Sequence, residues 1–135
     1  MLLNEIKNIL DCKVLTNNAY LNEDIKYCIA ADLMSDVLRY ARTDSLLLTG
    51  ITNIQVLQVS EILDLKGIIF VRGKVPEEEL IKQAESRRLP LLTTENLLFD
   101  SCGILYKNGL KGGKSRLEDS NSGRKEKKSV LSKQE

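Results

Sequence analysis

The chain has no histidine and no tryptophan, two prolines, three cysteines, and 4% aromatic residues. Each scarcity excludes something. Without histidine there is no Ser-His-Asp or Cys-His device and no His-ligated metal site. Cys12, Cys28 and Cys102 are odd in number and far apart, with no CxxC, so neither a zinc ribbon nor a four-thiolate cluster has a local framework. They read as reduced structural thiols. With few aromatics, the core must be built from Leu, Ile and Val. No apolar run approaches the ~20 residues of a membrane span. The opening MLLNEIKNILDCK mixes charges with apolar residues, unlike a secretory leader. The reading is a soluble, cytoplasmic protein.

What is present suffices for one domain: 135 residues, 42% of them hydrophobic. Charge divides the chain in two. Residues 1–110 hold 12 Lys/Arg against 15 Asp/Glu, and residues 111–135 hold 8 against 4. The second stretch has only Leu117, Val130 and Leu131 as sizeable apolar side chains, too few to offset its ordering entropy. The expectation is a folded domain over 1–110 and a disordered basic tail over 111–135. The tail's interspersed acids make it a poor nucleic-acid binder.

Where the domain meets the tail, GLKGGKSR (109–116) invites comparison with a phosphate-binding loop. A Walker A loop needs G-x-x-x-x-G-K-S/T between a strand and a helix. Here three residues separate Gly109 from Gly113, a helix precedes, and a polar tail follows. The stretch is not a P-loop.

The folded part alternates in pattern. Leu2, Leu3, Ile6, Ile9 and Leu10 share a helical face, followed by a KVLT strand (13–16). Together these read as an appendage to the main sheet. Strands follow at IKYCIA (25–30), SLLLT (45–49), GIIFV (67–71) and PLLTT (90–94), separated by helical stretches. Asp32, Thr52 (with Gln55 three residues on) and Thr94 are placed to cap those helices, and Pro76 to open one. Leu98, Cys102 and Leu105 form one stripe of the last helix, which Gly109 should stop. Short uncharged strands alternating with helices specify an α/β fold of three α/β/α layers, its sheet largely parallel.

In such sheets ligands collect at the carboxyl ends of the strands. Those ends carry Asp32; Thr49, Gly50, Thr52 and Asn53; Arg72, Gly73 and Lys74; and Thr93 and Thr94. Hydroxyls, glycines, two cations and helix starts suit a phosphate or carboxylate. Capping and turn roles explain several of the same residues. No arrangement resembles a catalytic site: Asp32 and Asp36 lie one helical turn apart, but no general base is marked by its neighbours. The reading is a non-enzymatic chain without cofactor or metal.

The stretches ADLMSDVLRYA (31–41), LLLTG, TNIQV, FVRGKVPEEEL (70–80), LPLLTTE and CGILYKNGLKG together resemble the DRTGG domain family over roughly residues 1–113. The resemblance implies an α/β domain similar to the N-terminal region of HPr kinase. Such domains also stand beside cystathionine-β-synthase-type (CBS) nucleotide-sensing domains, which implies regulation rather than catalysis. The eponymous motif is altered. Ile51 and Thr52 stand where the family's Asp-Arg pair would follow Gly50, and Arg72, Gly73 and Lys74 stand in place of Thr-Gly-Gly. The VRGK version is similar to a stand-alone subgroup labelled in relation to iron-only hydrogenases, which implies an accessory link. The expected function is regulation or sensing of a phosphorylated or nucleotide ligand, exerted through a protein partner or homo-oligomer. The alternative is an accessory or scaffold protein of hydrogenase or redox metabolism.

Overall fold

A computed structural model describes residues 1–114. The expectation of a disordered tail falls almost entirely outside them. Five strands and five helices alternate: α1 (Leu3–Ile9), β1 (Lys13–Val14), a 3-10 turn (Asn18–Asn22), β2 (Cys28–Ala30), α2 (Met34–Tyr40), β3 (Leu46–Thr49), α3 (Ile54–Leu63), β4 (Gly67–Phe70), α4 (Glu78–Ser86), β5 (Leu91–Thr93) and α5 (Leu98–Lys107). The sheet order is β1-β5-β4-β3-β2, with β2 to β5 parallel and β1 antiparallel on the edge beside β5.

The parallel strands advance in one direction without a reversal. Right-handed crossovers then place α2, α3 and α4 on a single face. The packing agrees. Met34, Val37, Val56, Leu57, Leu80 and Ala84 from these helices join Leu47, Ile68, Phe70 and Leu91 in one cluster. The alternate strand residues Leu46, Leu48, Ile69 and Leu92 point the other way, onto Leu3, Ile6 and Leu10 of α1 and Leu105 of α5. This period-2 split of uncharged strands is why β3 and β4 are buried along their whole length. The fold is the expected three-layer α/β/α arrangement.

The first helix and strand are not an appendage. Leu3, Ile6 and Leu10 have no exposed surface, and β1 registers Lys13 against Thr93 and Val14 against Leu92. Removing the side chain of one such core residue, as in Ile6→Ala, should cost about 2–5 kcal/mol.

Four helix starts also differ from expectation. Asn53, not Thr52, caps α3, its side chain accepting from the Gln55 amide at 3.0 Å. Leu33 and Leu97 occupy the cap positions of α2 and α5 without side-chain bonds, so Asp32 and Thr94 are not caps. Pro76 is buried two residues ahead of α4, behind the cap residue Glu77. In each case a competent capping residue is engaged in tertiary hydrogen bonding or superseded by its neighbour. The cysteines are free. Cys12 is buried, and Cys28 and Cys102 pack half-buried against the α1/α5 cluster.

Candidate functional site

The carboxyl ends of β2, β3, β4 and β5 emerge on one edge of the sheet, since those strands are parallel. At β2 the chain leaves through Ala31 to the exposed Asp32. Its Oδ1 accepts from the Thr49 hydroxyl at 2.9 Å and from the Gly50 amide at 2.8 Å. Thr49 is buried, and its Oγ1 in turn accepts from the Ile51 amide at 3.1 Å. One carboxylate oxygen therefore takes two donors that the sequence offered to a ligand, and its position fixes the end of β3.

At β4 the chain turns through Arg72 and Gly73, both left-handed, with φ of 59° and 67°. Left-handed backbone is costly for a residue with a Cβ, and Arg72 is held there by the β5 loop. The Arg72 amide donates to the Asn96 carbonyl at 3.0 Å and the Gly73 amide to that of Thr94 at 2.8 Å. The Thr93 hydroxyl donates to the Lys74 carbonyl at 2.7 Å. This turn lays the Arg72 guanidinium over Gly50, so that any side chain at position 50 would collide with it. A Cβ at Gly73 would meet the Glu95 carboxylate at 2.8 and 2.9 Å. Gly73 is thus required by its φ, whereas a side chain at position 50 would displace the flexible end of Arg72. Among the described residues, neither Arg72 nor Lys74 forms an ion pair. Both are exposed.

The predicted site residues separate into three groups. Asp32, Thr49, Gly50, Arg72 and Gly73 meet, with Lys74 on the same turn. Thr52 and Asn53 instead line a cleft of about 510 Å³ with Ile54, Glu77, Glu79, Leu80 and Gln83, whose two carboxylates are unsuited to an anion. Thr93 and Thr94 are buried and structural: the Thr94 hydroxyl donates to the Leu10 carbonyl at 2.7 Å and accepts from the Asn96 amide at 3.3 Å. Asn96, whose Nδ2 also donates to the Leu10 carbonyl at 3.2 Å, was not anticipated, although the T-x-N spacing of Thr94 and Asn96 is a local turn signal. It couples α1 to the Arg72 turn.

Burial pushes the Cys28 thiol up to about 12, with Cys102 adding to the effect, and burial beside Asp11 does the same for Cys12. Cys102 is also raised by burial. Thiols held protonated are poor nucleophiles and poor metal ligands. Among the described residues, no group of three or more Cys, Asp and Glu is arranged to hold a metal ion, and no helix is long and apolar enough to cross a membrane.

Comparison with known proteins follows the same lines. A search of curated proteins found no match. Among solved structures, the regulatory CBS and DRTGG region of Clostridium perfringens pyrophosphatase, complexed with its activator diadenosine tetraphosphate, superposes with a TM-score of 0.63 at 17% identity. The match covers 76% of this chain and 45% of that one. The likeness is one of fold, and this chain spans less than half of that region. The family model for the DRTGG domain matches residues 5–105, within the span on which the sequence resemblance rested, and the chain belongs to the DRTGG domain family.

Proposed function

We propose that the chain is a non-catalytic regulatory module that senses an anionic ligand, phosphorylated or nucleotide, at the carboxyl edge of its sheet. It acts in the cytoplasm through a protein partner or a second copy. The observation that carries this reading is Arg72. A non-glycine residue is kept left-handed by hydrogen bonds to β5 and the loop that follows it, a glycine lies beneath its guanidinium, and it forms no ion pair among the described residues. A charge positioned at structural cost and left unpaired is suited to an external anion. Lys74 adds a second cation on the same turn. Membership in a family that also occurs in a nucleotide-activated regulatory region supports a sensing role over catalysis.

A thermal-shift screen against nucleotides and phosphorylated metabolites tests the reading. A ligand at ~100 times its dissociation constant should add about 2.7 kcal/mol of stability. Absence of a shift with every anion would contradict it.

The competing role, an accessory or scaffold for an iron-only hydrogenase system, draws support from α5, where Phe99 is 85% and Tyr106 76% exposed with Gly103 between them on the outer face. A Phe99→Ser, Tyr106→Ser variant that loses partner binding or self-association while keeping its anion response would favour that role for the helix. A likeness to the N-terminal domain of HPr kinase, which the sequence resemblance implies, would fit either role.

A further inference from the structure

Building on that reading of the carboxyl edge, we propose that the ligand is a phosphorylated sugar of the ribose type, free or within a nucleotide, with Asp32 binding its hydroxyls and Arg72 its phosphate. The two charged groups flank the same residue. Asp32 reaches the Gly50 amide, and the Arg72 guanidinium lies against the Gly50 α-carbon. They form no ion pair, so they lie beyond 4.0 Å, and backbone dimensions put them on the order of 5 Å apart. Opposite charges fixed side by side without closing on each other suit a molecule that presents an acceptor to one and a donor to the other.

Asp32 limits the choice further. Both of its accepted bonds fall on Oδ1, which orients the carboxylate of this exposed residue and leaves Oδ2 without a protein donor among the described residues. Glu95, against Gly73 on the opposite flank, adds a second carboxylate. These acids repel a compact polyanion and reject a dicarboxylate. They attract hydroxyl donors, and a furanose 5-phosphate carries vicinal hydroxyls and a dianion separated by a comparable span. A site built to hydrogen-bond a hydroxyl discriminates strongly against the analogue lacking it, because its acceptor is then left unmatched.

Calorimetric titration of the full chain with inorganic phosphate, ribose 5-phosphate, 5'-AMP and 2',3'-dideoxy-AMP tests this. Ribose 5-phosphate and 5'-AMP should bind at least about tenfold more tightly than the dideoxy compound, the worth of one hydrogen bond to a charged group. Asp32→Asn keeps an acceptor for the Thr49 hydroxyl and the Gly50 amide, so it should fold, and it should narrow the preference to within about twofold. Its melting curve verifies that the fold is retained. Binding of 5'-AMP without ribose 5-phosphate, both ribose-dependent, assigns the sugar to a nucleotide; binding of both leaves the sugar phosphate as the recognised unit. Equal affinity for 5'-AMP and dideoxy-AMP, unchanged in Asp32→Asn but lost in Arg72→Ala, would overturn the sugar assignment and leave the anion site standing. No binding of any phosphorylated probe would overturn both.

Discussion

The two edges of the sheet use charge in opposite ways. At the amino edge Lys66 meets Glu23 at 3.3 Å and Asp44 at 3.8 Å, and Arg87 meets Glu61 at 2.9 Å, around a cleft of about 470 Å³. Every cation of those pairs has an internal partner. At the carboxyl edge Arg72 and Lys74 have none among the described residues, while the Asp32 carboxylate is directed at the Thr49 hydroxyl and the Gly50 amide rather than at the cations. The amino edge neutralises Lys66 and Arg87 from within, although the exposed Arg88 of the same cleft forms no ion pair among the described residues, whereas at the carboxyl edge neither cation of the Arg72 turn is paired.

The sharpest way to break the contrast is at Gly73. Gly73→Val imposes a β-branched side chain at φ 67° and drives it into Glu95. The variant should lose about 1–3 kcal/mol in urea denaturation and lose the anion response as the Arg72 turn shifts. Next in size, Arg72→Ala should leave stability within ~0.5 kcal/mol yet weaken 5'-AMP binding roughly tenfold or more, the loss of a charge-assisted contact. Calorimetry and a melt on one preparation read both. On the amino edge the signature reverses. Lys66→Ala should cost no more than ~1 kcal/mol, since its pairs are largely solvent-screened, and should not change ligand affinity.

A pH series separates surface charge from core. The Cys12 and Cys28 thiols titrate near 12 when folded, against 9.0 for an unperturbed thiol. The unfolded chain thus releases these protons first, so stability should fall as pH rises from about 9 towards 12. Lys66, raised chiefly by its hydrogen bond to Glu23, acts in the same direction: its contribution is complete below the unfolded lysine value and is lost as pH passes the folded one. Denaturation midpoints at pH 8 and 10 for the parent and Cys12→Ser, Cys28→Ser forms would show the thiol part as a flatter slope in the variant.

The layered fold was legible because β3 and β4 are uncharged runs bounded by turn residues, a pattern that admits little but a strand buried on both faces. The place of α1 and β1 was not, since β1 pairs with β5 across some 80 residues of sequence, and local periodicity carries no such information. Cap assignments failed where two competent residues adjoin, as with Thr52 and Asn53, or where a carboxylate found a tertiary partner, as with Asp32. For the site, strand-end position brought Asp32, Thr49, Gly50 and Arg72 to one edge correctly. That Asp32 would occupy the Thr49 and Gly50 donors, and that Arg72 would turn left-handed over Gly50, depend on distances between loops that no spacing rule encodes.

The Arg72 edge, not the Lys66 and Arg87 edge, is where the ligand is proposed to bind. Amide NMR shifts of the full chain titrated with 5'-AMP test it most directly. Perturbations should concentrate at Asp32, residues 49–51 and residues 72–74, leaving the amides of Lys66 and Arg87 unmoved. Shifts centred on the Lys66 and Arg87 cleft, or none at saturating nucleotide, would contradict it.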